Sequence, residues 1–299
     1  MIRPNLMPRY QRRARGFLRK SKARGLQIYK GPSTMPGLRS APQVLGLVSF
    51  YTENLKLGNE YQTWHLRADE HPLNVRREKR DQAICGDCAL KEPCYVAGRT
   101  LNVLWRSVAN GNYPSVEEFA QELRLPVVEA LRVLGSMPAG VRFGAYGDPV
   151  SMPVGIAQAL THHAGTHQGY THQWRRLPAS PWSRLLMASC ERPDQVPDAV
   201  RMGYRCYVVY PPELTRKEAR RAIFNACKAA DMARPILAEC PASERAGAQV
   251  DCVSCPIQCD GVKYGAPWQV VSAAHGGAAA MGKYRKMNFA HVWRSFLEG

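Results

Sequence analysis

The sequence predicts an α/β protein of parallel βαβ units forming an open or partial (β/α) barrel, with cysteine-rich metal-binding loops and a basic N-terminal arm. Three observations lead there. From Val141 onward, short apolar stretches alternate with helical stretches through loops rich in Gly, Pro and Asp, the pattern of parallel strands joined by helices. Seven of the ten cysteines fall in two close-spaced groups. A composition of 45% apolar and 22% charged residues suits a chain that buries a core. About six or seven candidate strands can be counted, enough for a partial barrel, with a doubly wound sheet as the alternative.

Residues 1–43 read as a basic arm, interrupted every few positions by Pro or Gly. From Met1 to Thr52 there are eleven Lys and Arg and no Asp or Glu, within a chain of net charge +17. Like charges so concentrated repel one another unless a polyanion neutralises them. Arg9, Arg12, Arg13, Arg15, Arg19, Lys20, Lys22 and Arg24 are the candidate contacts to nucleic acid, DNA first and single-stranded DNA included. No window approaches the roughly 18 uninterrupted apolar residues of a membrane span, so no membrane role is expected.

Residues 44–277 read as the α/β core. Residues 44–51 and 61–66 are short apolar or aromatic strands, and 96–109 is a helix. A helical hairpin occupies 113–137: Ser115 with Glu118 three residues later is a capping box, and Arg124-Leu125-Pro126 breaks the hairpin in two. The break resembles a helix-turn-helix, but Glu129 suits a plain hairpin better than a helix facing phosphate. Beyond it the expected elements are strand 141–146, helix 154–163, strand 169–173, helix 182–190, helix 194–202, strand 204–210, helix 215–231, strand 235–239 and strand 268–273. Residues 278–299 form a basic and aromatic C-terminal segment, either a nucleic-acid contact or a packed terminal helix.

The first cysteine group, 85–94, is Cx2Cx5C (Cys85, Cys88, Cys94). It supplies three thiolates and needs a fourth ligand, for which His65, His71, a distant Cys or a small molecule are candidates. The second, 240–259, is Cx11Cx2Cx3C (Cys240, Cys252, Cys255, Cys259) and supplies four sulfurs by itself, which suits zinc or a cubane iron–sulfur cluster equally. CxxC spacing without a secretory signal points to reduced thiols in a cytoplasm-like compartment.

Ligands of parallel α/β folds bind beyond the carboxyl ends of the strands. There the sequence places Asp148 after Gly147, and Tyr170 and His172 on alternate positions of one strand; these three are the candidate catalytic residues. No P-loop, dinucleotide fingerprint or HExxH occurs, so nucleotide hydrolysis, dinucleotide binding and zincin proteolysis have no support.

The order of GAYGDP (Gly144–Pro149), GYTHQW (Gly169–Trp174), GYRCYVV (Gly203–Val209), Cys240-Pro241, CVSC and the closing AHGG resembles a family of phage- and prophage-encoded cysteine-rich proteins over roughly residues 60–277. That family carries no assigned activity, and its layout is loosely similar to radical S-adenosylmethionine barrels. The chain departs from those enzymes in having Cx2Cx5C rather than Cx3Cx2C and no GGEP-like segment. The resemblance implies a mobile-element origin, a host-cytoplasmic setting and one site combining the cysteines with the GD and THQW positions. Two functions are therefore expected: a phage-type metalloprotein that binds nucleic acid in viral or plasmid DNA replication or processing, and, as the alternative, an iron–sulfur enzyme using S-adenosylmethionine.

Overall fold

The computed structural model describes residues 2–298 except 53–56, 179, 243–249, 262–267 and 275–277. The chain divides into two compact units: Met1–Gly86 with Val96–Gly169, and Asp87–Tyr95 with Tyr170–Gly299. Both are mixed α/β. This division replaces the expected arm, core and tail, because residues 1–43 are built into the first unit and the C-terminal segment into the second.

The first unit runs α1 (Met7–Lys20), β1 (Gly25–Pro32), β2 (Gln43–Ser49), β3 (Glu60–Arg67), α2 (Pro72–Arg77), α3 (Gln82–Cys85), α4 (Gly98–Ala109), α5 (Val116–Leu123), α6 (Val127–Gly135), β4 (Gly140–Tyr146), α7 (Val154–Thr161) and β5 (Thr166–Gln168). Its sheet has the order β1-β2-β3-β4-β5, antiparallel through β3 and parallel beyond. β1 lies in the stretch read as a basic arm, and its pairing with β2 is what makes it a strand.

The expected arm is ordered because α1 is amphipathic. Ala14 is fully buried, Phe17 packs on Phe119 of α5 at 5.7 Å, and Gln11 Nε2 donates to the Ser136 carbonyl beyond α6 at 3.0 Å. The capping box forms as expected, with Ser115 and Glu118 exchanging side-chain and backbone hydrogen bonds. Glu129 of α6 is buried and accepts from the Ile2 amide at 3.2 Å, which leaves α5 and α6 as a covered hairpin rather than a free recognition helix.

Gly135 ends α6 where a Cβ would stand 1.8 Å from the Leu160 carbonyl of α7. Gly135→Ala is therefore expected to force the two helices apart and to cost about 1–3 kcal/mol, read as a lower midpoint in urea unfolding.

The second unit runs β6 (Tyr170–Thr171), β7 (Met187–Cys190), α8 (Gln195–Arg201), β8 (Cys206–Tyr210), α9 (Arg216–Ala229), β9 (Ile236–Glu239), β10 (Trp268–Ala273), α10 (Ala278–Lys286) and α11 (Phe289–Ser295). Its sheet is wholly parallel in the order β6-β7-β8-β10-β9. The expected helix over 182–190 is instead a single 3-10 turn followed by β7. All four residues of β7 are buried, since it lies between two parallel neighbours, and such a short, doubly buried run carries no period that distinguishes strand from helix.

One face of this sheet carries Ala188, Cys190, Cys206, Val208, Tyr210, Val271 and Ala273, packed against α8, α9 and Trp293 of α11. Side chains alternate along a strand, so the register places Tyr170, Met187, Ser189, Tyr207, Val270 and Ser272 on the opposite face.

Candidate functional site

That opposite face is where the cysteines gather. The rings of Tyr170 and Tyr207, from β6 and β8, lie 4.2 Å apart. The Tyr170 hydroxyl donates to the Cys259 sulfur, and Cys240, Cys252 and Cys255 lie within electrostatic reach of the same sulfur. Burial, then the neighbouring Cys240, push the Cys259 thiol well up, against the opposing hydrogen bond from Tyr170. Burial and the sulfurs raise Tyr170 and Tyr207 as well. All four sulfurs of the second group thus belong to one neighbourhood of the second unit. Among the described residues no three His, Cys, Asp or Glu side chains converge in a coordinating arrangement. The donor chemistry fits zinc or a cubane cluster; the sulfurs stand near one another without closing round a point.

The loop bearing Cys255 and Cys259 is anchored by a pair of residues that the sequence reading did not select. Arg205, just before β8, donates from Nη1 to the Asp260 carboxylate at 2.6 Å and to the Asp260 carbonyl at 3.0 Å, and from Nη2 to the Gln258 carbonyl at 3.1 Å. The two side chains are 3% and 1% exposed. Gly261 follows, where a Cβ would stand 2.2 Å from the Ser183 carbonyl.

The first cysteine group is divided: Cys85 belongs to the first unit, Cys88 and Cys94 to the second. His65 and His71 are engaged elsewhere. His65 is fully buried between the hydroxyls of Ser151, 3.0 Å from Nδ1, and Thr63, 3.2 Å from Nε2, and its burial lowers its pKa to about 3. His71 accepts from the Leu73 amide at the start of α2 and meets Asn102 through its other nitrogen.

Cys88 meets His172. The Asp87 amide donates to Gln173 Oε1 at 3.4 Å, and the Asp87 carboxylate pairs with Arg176 at 2.6 Å. This holds Cys88 beside His172, with which it shares a hydrogen bond. His172 Nδ1 lies 3.0 Å from Glu191 Oε1. Glu191 itself is fixed by Ser189 Oγ at 2.9 Å, by its amide donating to Gln195 at 2.8 Å and by Trp293 donating to its carbonyl at 2.8 Å. Burial works against a charged His172, but the Cys88 sulfur and the Glu191 carboxylate outweigh it and carry its pKa well up. A thiol, an imidazole and a carboxylate in succession hold a proton on the ring and orient it.

Of the three candidate catalytic residues, Tyr170 and His172 belong to the second unit and Asp148 to the first. Asp148 caps a 3-10 turn, its Oδ1 accepting from the Val150 amide at 3.1 Å while its own amide donates to the Ile84 carbonyl at 2.6 Å. The AHGG signature lies outside the described residues from His275 to Gly277. Glu191 was missed because it follows the stretch misread as a helix; read as a strand, 187–190 would have put it among the residues beyond a strand's carboxyl end.

The basic residues of α1 belong to the first unit. Arg9, Arg12, Arg15, Arg19, Lys20, Lys22 and Arg24 are exposed, Arg13 is half-buried, and none of the eight is ion-paired among the described residues. The C-terminal aromatics do not join such a surface: Tyr284 and Trp293 are buried, and Arg285 pairs with Glu213 at 3.0 Å.

Comparison with protein-family models, curated proteins and solved structures gives no match. Among the described residues no helix is long and apolar enough to cross a membrane.

Proposed function

We propose that the protein is a metalloprotein that binds nucleic acid, acting in viral or plasmid DNA replication or processing, in the host cytoplasm. The observation that carries the reading is α1. Its apolar stripe is used in packing on α5 and α6, which orders the helix and leaves Arg9, Arg12, Arg15 and Arg19 exposed and, among the described residues, without an ion pair. Fixed, unpaired cations of this kind suit a phosphate backbone, which releases counterions when they bind. Cys240, Cys252, Cys255 and Cys259 are the residues to hold zinc or an iron–sulfur cluster, with the Arg205–Asp260 pair holding their loop. A zinc ion there supplies a structural cross-link, a cluster one-electron chemistry.

The second reading is an iron–sulfur enzyme on a partial barrel, using S-adenosylmethionine. It is favoured by the placement of Tyr170, His172 and Glu191 beside thiols at the carboxyl ends of β6 and β7.

Two measurements test these readings. Elemental analysis of anaerobically purified protein is expected to find zinc or iron with sulfide, lost in Cys255→Ser and Cys259→Ser; a metal-free wild type overturns the metal in both. Anisotropy titration of labelled DNA over a salt series is expected to show steep salt dependence. Replacing Arg9, Arg12, Arg15 and Arg19 together by Gln should flatten the slope of log affinity against log salt by about 0.9 per lost contact on duplex and about 0.7 on single strands. An unchanged slope rejects α1 as the contact.

A further inference from the structure

We propose that the second unit carries its own contact to the phosphate backbone, a groove along α9 that grips nucleic acid without reading its bases. This rests on the nucleic-acid reading above but on residues that reading does not use. The groove has a volume of about 1010 Å³, and its lining includes six cationic side chains against one carboxylate, Asp231. Lys217, Arg221, Phe224 and Lys228 recur at helical spacing on one face of α9. Lys217, Arg221 and Lys228 are exposed, as is Arg234 beyond the helix, and none of the four is ion-paired among the described residues.

The other cations build the wall. Arg216 is held by Glu239 at 2.9 Å, and Arg220 donates to the Leu237 carbonyl at 2.9 Å. Glu218, the helix's own carboxylate, is turned to its capping box with Thr215.

Phe224 decides what kind of contact this is. The Arg234 guanidinium lies 3.9 Å from its ring centroid and that of Arg220 5.8 Å. The ring holds two cations in place and is already covered, so it serves to fix charge rather than to stack bases. From Lys217 to Lys228 the helix advances about 16 Å, enough to track several successive phosphates. Binding at such a surface is independent of sequence and steep in salt.

The test uses the full chain, with Lys217, Arg221 and Lys228 replaced together by Gln; these exposed positions leave the helix's buried face intact, which circular dichroism checks. Anisotropy with labelled single-stranded and duplex DNA across a salt series should show the slope falling by about 2 on single strands and about 2.7 on duplex, the product of three contacts and the per-contact values. The share due to α1 should survive in this variant and be lost in the α1 variant. If wild type binds DNA and the α9 variant matches it in affinity and slope, the groove is not a contact and α1 stands alone. If wild type does not bind DNA at all, both readings fall together. Equal affinity for poly-aspartate of matched charge overturns the assignment to nucleic acid.

Discussion

Asp260→Ala is expected to destabilise the second unit by about 3–5 kcal/mol, the range found when one partner of a buried ion pair is removed. The cause is the guanidinium left behind. Arg205 is 3% exposed, and without the carboxylate 2.6 Å away it keeps its carbonyl partners but carries an uncompensated charge in a low-dielectric site. Arg205→Met combined with Asp260→Leu removes both charges and should recover much of the loss, since a buried pair often contributes little net stability over an apolar replacement of similar volume. Equilibrium urea unfolding checks this. A double variant as unstable as Asp260→Ala would show that losing the Arg205 hydrogen bonds to the 257–260 backbone costs as much as the unbalanced charge. If the protein is the proposed metalloprotein, the same variants should also lower metal content, because Cys259 is the neighbouring residue, with Asp260→Ala the more severe.

Trp293→Ala is expected to cost about 3–5 kcal/mol, the usual range for truncating a fully buried large aromatic. Trp293 is 0% exposed, lies 6.3 Å from the Tyr210 ring, and ties α11 to the sheet by donating to the Glu191 carbonyl at 2.8 Å. Trp293→Phe keeps most of the packing and loses the hydrogen bond, so it should cost less than Ala. If the two variants unfold at the same denaturant concentration, the indole hydrogen bond dominates the contribution. Both variants release one of the three groups that position Glu191, so the His172 imidazole should become more mobile, read by its proton resonances.

The fold was legible wherever the signal is local. The helices over 96–109, 115–135 and 215–231 appear near their expected limits because capping boxes at Ser115 and Thr215 and a 3.6-residue apolar period depend on residues within a turn or two. The strands at 44–51, 61–66, 141–146 and 204–210 are likewise close to expectation. Local patterns failed where pairing decides. Gly25–Pro32 is a strand only because β2 lies beside it, and Met187–Cys190 only because β6 and β8 enclose it.

The candidate site divides in the same way. The Cx11Cx2Cx3C spacing marks Cys240, Cys252, Cys255 and Cys259 as a group, and they do share one neighbourhood. The spacing of Cys85, Cys88 and Cys94 marks a group too, and of these Cys88 engages His172.

By itself, then, the sequence determined the α/β class, the helix starts, the thiol-rich loop and the concentration of positive charge near the N-terminus, all properties carried by neighbouring residues. Only tertiary structure decided that the basic segment is a docked helix, that Arg205 meets Asp260 across 55 positions, and that Glu191 stands behind His172. The physical reason is loop closure: a contact between distant residues forms when the packing of the whole unit compensates the chain entropy it costs, and no local pattern records that balance.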